Sequence, residues 1–368
     1  MAYYDDRNKT NINIRLFSIN TFVQNPKTDC MYCKLWKNNS TFYYTSAEQN
    51  RIAFRTISKQ RYISYTYSCP VYDLLPLNMA LCLNSTVCSE PIKVKYTDKP
   101  KQPLHDFGVC VRALNGFIQD NNIDSMVEWF EFHQLLGVTE FNLYNSSVAS
   151  YGSKMKSLFE YYKTNNILQF HQMQWSVPYN RESDKEEIGE MLQEASITDC
   201  MYSNMYRYQR LIVLDLDEII IPKQAANYYE LIQNLTSSDN KFANGHIHFW
   251  ADNYFQTLPE NNTYPSVLKT MRYQFYVVSN YRPKSMYNPR LCKYANCHFC
   301  LDPRDGKFVS RDVAMIHHYR KRCESTISPV YWSTERCNEL MKGALRGTST
   351  LRYEASLLAR LKNVQDKL

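Results

Sequence analysis

The alternation of apolar and polar positions changes character once along this chain. Up to about residue 105 it is short-ranged and uneven. "TFYYTSAEQNRIAFRTISKQRYISYTYSCPVYDLL" mixes β-branched and aromatic residues with polar ones at a period near two. That spacing predicts short strands whose successive side chains face opposite ways. "YTDKPKQPLHDFG", from Tyr96 to Gly108, carries two prolines and several charges and reads as a boundary.

Beyond it, strand and helix periods take turns. "GVCVRAL" is a short apolar strand. "DSMVEWFEFHQLLG" has helical spacing, with Met126, Trp129, Phe130, His133 and Leu136 on one apolar face. Ser125 and Glu128 stand at capping-box spacing, and Gly137 stands where a C-terminal cap belongs. "VTEFNLYN" (strand), "SKMKSLFEYYKTNN" (helix), "ILQFHQMQW" (strand), "KEEIGEMLQEASITDCMYSNMYRYQ" (helix) and "RLIVLDLDEIII" (strand) follow. The order βαβαβαβ over 108–222 predicts an α/β fold, with a mostly parallel sheet and helices on both faces. Later, "NGHIHFWADNYF" and "TMRYQFYVV" read as strands, and "RDVAMIHHYRKRC" as a strand entering a loop. "STLRYEASLLARLKNVQDKL" reads as an amphipathic terminal helix. The expected division is a smaller β-rich N-terminal region (1–105), an α/β domain (106–345) and a C-terminal helix (346–368).

Composition narrows the chemistry. With 43 Lys+Arg against 36 Asp+Glu, the net charge of +7 is spread along the chain rather than gathered in a block. A nucleic-acid footprint would be more concentrated, so no nucleic-acid partner is expected, whereas a small phosphate-bearing substrate suits this balance. The nine glycines form no Gly-x-Gly-x-x-Gly and no phosphate loop, which weakens dinucleotide and ATP readings.

The twelve cysteines include two Cys-x-x-Cys spacings, Cys30/Cys33 and Cys297/Cys300, the latter flanking His298. Zinc and disulfides both fit these spacings. Asn-x-Ser/Thr sequons at Asn8, Asn38, Asn39, Asn84, Asn145, Asn234 and Asn261 favour disulfides in a glycosylating, oxidising compartment. The opening "MAYYDDRNKTNINIRL" is no signal peptide, and no stretch approaches the ~18 apolar residues of a membrane span. The preferred reading is a targeting segment missing from this version of the sequence.

The densest chemistry lies in "LIVLDLDEIIIP", Leu211 to Pro222. Read as one strand, it puts Asp215 and Asp217 on the same face at the carboxyl end of a parallel strand, where ligands of such sheets bind. Two like charges there call for a hard divalent cation, Mn²⁺ or Mg²⁺, able to hold a diphosphate. The plainer reading, exposed strand-end acids, sits poorly with the apolar flanks. A haloacid dehalogenase-type phosphatase shares Asp-x-Asp. It departs at Ile219, where that family has Thr or Val, and no Asp-Asp follows Asp6.

"CVRALNG", "VEWFEFHQLLGVTEFNLYNSS", "FEYYKTNNILQFHQMQW", "LQEASITDC", "LIVLDLDEIIIP" and "IHHYR" occur in that order between Cys110 and Arg320. Together they resemble glycosyltransferase family 92, the DUF23 group common in nematodes. The resemblance implies a GT-A-type fold and an inverting transfer of galactose from UDP-galactose, in β-1,4 linkage, to a glycan or glycoprotein acceptor. It also implies residence in the Golgi as a type II membrane protein; the anchor expected of that family is absent from this chain. A non-catalytic glycan-binding paralogue is the alternative.

By the same resemblance, Asp215, Asp217 and His318 bind the metal, with His317 facing the other way. Glu218 is either a further site acid or a structural hydrogen-bonding group. Arg112 pairs with UDP, and Arg320 either meets a phosphate or is a surface arginine. Tyr144, Asn145 and Ser146 lie beside the uridine or ribose, Asn145 being alternatively a glycosylated loop residue. Asp199 gives polar support near the donor, and Cys200 is buried or disulfide-bonded. Glu128, Trp129 and His133 match the family's helix, but their place on a helical face reads as core, and His298 reads as structural, with a zinc ligand or a site residue as alternatives. By analogy of fold alone, Asp252 is the candidate general base, with Trp250 as a sugar platform or a core residue.

Overall fold

The computed structural model describes the 368 residues except 22–30, 58–59, 73–74, 84–85, 119, 174–181, 280–281 and 324–332. Cys30, Asn84 and Trp175 therefore lie outside the described residues.

Eight strands between Ala2 and Lys95 form one sheet. Neighbours run antiparallel except Ala2–Asp5 and Ile92–Lys95, which pair parallel. The alternation read from the sequence buries one side: Ile14, Leu16, Leu35, Ile63, Tyr67 and Met79 pack as one cluster. Cys33–Cys69 crosses this sheet and Cys82–Cys88 closes a loop beside it. Asp5 is shared by Arg7 at 2.7 Å and Arg15 at 3.0 Å. Burial alone would raise this carboxyl, but the two guanidinium groups outweigh it and hold it at about 2.

The α/β unit opens with β1 (His105–Ile118), α1 (Ile123–Leu135), β2 (Glu140–Tyr151), α2 (Ser153–Thr164), β3 (Leu168–Met173), α3 (Glu182–Ser203) and β4 (Tyr208–Leu214). Then come β5 (Glu218–Pro222), β6 (Ile247–Phe249), β7 (Ala251–Phe255), α4 (Lys269–Arg272), β8 (Lys284–Tyr287), β9 (Lys307–Phe308) and β10 (Ala314–Arg320). The main sheet has the order β3-β2-β1-β4-β8-β6-β9. Its first four strands are parallel, as the βα alternation requires, and β8 runs antiparallel to both neighbours. A second, three-stranded sheet has the order β5-β10-β7.

Gly108 permits the close approach of β1 and β4, since a Cβ there would lie 2.6 Å from the Tyr208 ring. The expected cap of α1 forms at Gly137, with φ +105° and Val138 N–H bonded back to His133 O at 2.9 Å. The capping box does not form. The helix begins at Ile123, so Ser125 and Glu128 lie inside it and Glu128 bonds elsewhere. α1 is buried nearly all round, between the sheet, α2 and the terminal helix α5 (Glu354–Gln365), whose Leu357, Leu361 and Val364 join the same core.

Two further strand expectations change. "TMRYQFYVV" forms the short helix α4 and then a two-residue strand, because Glu128 pins the Thr270 backbone. "NGHIHFWADNYF" splits at Trp250 into β6 and β7 of different sheets. Cys110–Cys200 staples β1 to α3; Cys292–Cys300 and Cys323–Cys337 close later loops. No helix among the described residues is long and apolar enough to cross a membrane.

Candidate active site

Leu211 to Leu214 are buried in β4, yet the strand stops there. Asp215 to Asp217 form a turn, closed by Glu218 N–H to Asp215 O at 3.1 Å, and β5 starts in the other sheet. The expectation of one continuous strand is thus corrected: β4 pairs with β1 up to Leu214↔Val111, whereas β5 pairs with β10 from Glu218↔His318. The aspartates converge because a turn carries them, not because a strand alternates.

One buried lysine anchors this turn. Lys284 of β8 is 2% exposed, and its Nζ lies 2.8 Å from Asp215 and 3.0 Å from Glu218. Glu218 Oε2 also accepts the Asp215 N–H at 3.0 Å, and Trp129 Nε1 donates to Glu218 O at 2.9 Å. Arg112 Nε stands 3.1 Å from the other Asp215 oxygen. Burial opposes ionisation of Asp215, but Lys284 and Arg112 more than offset it, and the carboxyl sits well below its ordinary range. For Glu218 burial prevails and its carboxyl is raised.

Asp217 is the open member of the group, its side chain 44% exposed, with Oδ2 3.3 Å from His318 Nε2. His318 Nδ1 lies 3.4 Å from Glu218. Burial would lower this imidazole, yet Asp217 and Glu218 together raise it. His317 faces away: its Nε2 bonds Tyr254 at 3.0 Å, and burial pushes its basicity far down. Arg320 follows on the His318 side of β10, within the field of Asp217, Glu218 and Asp215.

Of these groups Arg112, Asp215 and Asp217 border a cavity of about 500 Å³; Lys284, Glu218, His318 and Arg320 are not among its lining residues. Asp215 and Asp217 lie on one wall; Arg112, Lys269, Arg272 and Lys321 bring positive charge, and Tyr273 and Tyr319 bring rings. Glu128 seats α4, and with it Lys269, by accepting from Thr270 N–H at 2.9 Å and Oγ1 at 2.6 Å. Burial pushes the Glu128 carboxyl up to about 7. Lys284, Lys269, Arg272 and Lys321 escaped sequence reasoning. Each is a single cation far from the motif, and no local pattern sets it apart.

Other expected residues go elsewhere. Tyr144 donates to Asp199 at 2.9 Å, and Asp199 also accepts from the Tyr3 hydroxyl and pairs with Lys95 at 3.2 Å. Both residues therefore seat the N-terminal sheet on the α/β unit rather than line the cavity. Asn145 is engaged by Gln172 at 2.8 Å and by the Tyr151 hydroxyl. Ser146 is fully buried, its Oγ has no hydrogen-bond partner among the described residues, and it does not line the cavity. Asp252 pairs in register with His317, so it points to the face opposite His318. There it accepts from Ser279 N–H at 3.0 Å and pairs with Arg311 at 3.3 Å, which removes it as the base. Trp250 stacks on Phe308 at 4.1 Å.

The cysteine pairs exclude the zinc reading of Cys297/Cys300. His246, Cys292 and Cys300 gather closely enough to hold a metal, but the two cysteines are bonded to each other. Among the described residues Cys297 is a free thiol, pushed up to about 12 by burial.

The sequence model of glycosyltransferase family 92 matches residues 105–359, the stretch that builds this cavity. The chain belongs to glycosyltransferase family 92. No curated protein matches it. Among solved structures, the crystal structure of GalNAc-T7 with UDP, GalNAc and Mn²⁺ is similar at 12% identity. That likeness covers 61% of this chain and 45% of that one, with a TM-score of 0.27. The chain thus spans just under half the length of that protein. The amylomaltase of Corynebacterium glutamicum is similar over 35% of this chain and 19% of that one, at 15% identity and a TM-score of 0.16. Likenesses this slight carry nothing about mechanism; the family rests on the sequence match.

Proposed function

We propose that this family 92 chain transfers a hexose, galactose by resemblance, from a UDP-sugar to a glycan acceptor with inversion, using Mn²⁺ or Mg²⁺. The supporting observation is the cavity lining: Asp215 and Asp217 stand together, and Arg112, Lys269, Arg272 and Lys321 line the same cavity. Acids able to hold a cation, in a cavity that also carries fixed cations, match a diphosphate ester in charge. The donor set fits such an ion. Asp217 offers an oxygen at the cavity with the His318 imidazole 3.3 Å from it, and Asp215, whose oxygens already meet Arg112 and Lys284, lines the same cavity. When bound, the ion offsets charge on the departing diphosphate. The chain's own residues do the rest. Lys284 and Glu218 hold the turn, Arg112 and Lys269 neutralise phosphate oxygens, and Tyr273 and Tyr319 offer surfaces to the nucleoside or sugar. Five disulfides and exposed sequons at Asn8, Asn38, Asn39 and Asn234 support a lumenal, Golgi setting.

Calorimetric titration with UDP tests this reading. Binding is expected to strengthen with Mn²⁺ and to lose that dependence in Asp217→Asn, and a donor screen is expected to show turnover with a UDP-hexose. UDP binding indifferent to the metal in the native chain would overturn the metal assignment. Binding without turnover would favour the glycan-binding alternative, and hydrolysis of an aryl phosphate without donor would favour the phosphatase.

A further inference from the structure

The N-terminal sheet carries an aromatic hairpin that the transfer site does not use. Strands Tyr32–Trp36 and Phe42–Ser46 pair antiparallel, with Trp36 opposite Phe42 and Lys34 opposite Tyr44. Cys33, Leu35 and Thr45 are buried on the inner face, so Lys34, Trp36, Phe42 and Tyr44 share the outer one. Phe42 is 46% exposed and Tyr44 38%. The Trp36 and Phe42 rings lie 6.2 Å apart, tilted by 54°. Lys34 reaches its ammonium to 3.9 Å from the Phe42 centroid and 4.9 Å from that of Trp36. It stands two residue pairs further from the turn, so it covers the rings from the strand side.

The turn supplies an occupant for the other side. Lys37 N–H bonds Thr41 O at 3.0 Å, and Asn38, Asn39 and Ser40 form the exposed tip. They carry two overlapping sequons, Asn38-Asn39-Ser40 and Asn39-Ser40-Thr41. The two asparagines are not equivalent. Asn38 Oδ1 accepts from Ser40 N–H at 3.0 Å, Ser40 Oγ at 3.1 Å and Thr41 N–H at 2.7 Å, so its carboxamide builds the turn. Among the described residues the Asn39 carboxamide makes no hydrogen bond.

We infer that Asn39 carries an N-linked glycan whose first N-acetylglucosamine lies on the Trp36–Phe42 pair. Each ring is three residues from Asn39 in sequence, and the chain reversal brings both beside the attached sugar. A pyranose ring offers C–H groups to an aromatic face and keeps its hydroxyls in water, and the acetamido methyl adds apolar contact. The bond forms between Asn39 Nδ2 and sugar C1. The donor is a lipid-linked oligosaccharide; its lipid diphosphate leaves and one amide proton is released. This inference stands apart from the donor-site reading. It concerns a modification of the N-terminal sheet and needs only passage through a glycosylating compartment.

The test uses the full chain, secreted behind an added signal sequence from cells that make N-glycans. Peptide mapping is expected to place N-acetylglucosamine on Asn39. An amidase that removes the whole glycan is expected to lower the unfolding midpoint by about 2–4 °C, the scale of one aromatic contact. An endoglycosidase that leaves the first sugar is expected to leave the midpoint in place. Trp36→Ala, or Phe42→Ala should that variant fail to fold, is expected to abolish the difference between the two enzymes. A bare Asn39, a glycan on Asn38 instead, no midpoint shift, or an equal shift in the aromatic variants would each overturn the inference.

Discussion

Lys284→Met removes the cation around which the Asp-Leu-Asp turn is built. Its ammonium lies 2.8 Å from Asp215 and 3.0 Å from Glu218, and both Lys284 and Glu218 are at most 2% exposed. Removing one partner of a buried ion pair costs ~3–5 kcal/mol when the other charge is left stranded. Here two routes relieve it. Burial already raises the Glu218 carboxyl, so Glu218 takes up a proton once the ammonium is gone, and Asp215 retains Arg112 at 3.1 Å. The loss therefore falls at the lower end, about 3 kcal/mol, which for a domain of this size is a drop of ~4–6 °C in midpoint. Thermal unfolding followed by circular dichroism at pH 7 measures it. Adding Glu218→Gln to Lys284→Met leaves no uncompensated acid at that position and is expected to recover at least half of the loss, a coupling that a double-mutant cycle reads directly. A drop below about 2 °C, or two losses that simply add, would show that Lys284 does not hold the turn by charge.

Three other perturbations probe separate parts of the structure. Glu128 has its carboxyl raised to about 7 by burial, so the folded state holds a proton that the unfolded chain releases near its ordinary 4.5. Its stabilisation is full below that ordinary value and is lost as pH rises through about 7. Urea melts from pH 5 to 8 are expected to show a decline of about 2–3 kcal/mol that Glu128→Gln flattens; an unchanged slope in that variant would refute the assignment. Replacing Cys110 and Cys200 by serine opens a link across 90 residues and is expected to cost about 4–5 kcal/mol; a loss under 1 kcal/mol in the oxidised protein would contradict a stapling role. Gly108→Ala puts a methyl 2.6 Å from the Tyr208 ring and is expected to cost ~2–3 kcal/mol, with no loss expected if β1 and β4 separate freely.

Much of the fold was legible because it is carried by local periods. The strand-helix alternation from β1 to β4 follows from spacing alone, and so does the glycine that ends α1. The misreadings have one kind of cause. Ser125 and Glu128 have capping-box spacing, but the helix starts two residues before Ser125, and Glu128 finds a better partner in Thr270, 142 residues away. Tyr144 and Asp199 were expected at the donor site from their places in the motif blocks. The Tyr144 hydroxyl instead bonds Asp199, and the Asp199 carboxylate meets Tyr3 and Lys95 of a sheet that the blocks do not include.

By itself the sequence determined which strand runs into acids and that only one of His317 and His318 can face them, since neighbours along a strand point opposite ways; the resemblance to the family's His-Tyr-Arg chose His318. Only the tertiary structure decided how the acids are tolerated. Asp215 and Glu218 are held by Lys284 from a strand that pairs antiparallel with β4 and begins 69 residues after Asp215. It also decided that Asp252 is turned away, because the register of β7 against β10 sets it opposite His317. Charge compensation and sheet register are relations between distant segments. A local pattern carries the group that needs a partner, and the packing of the whole chain selects which partner it meets.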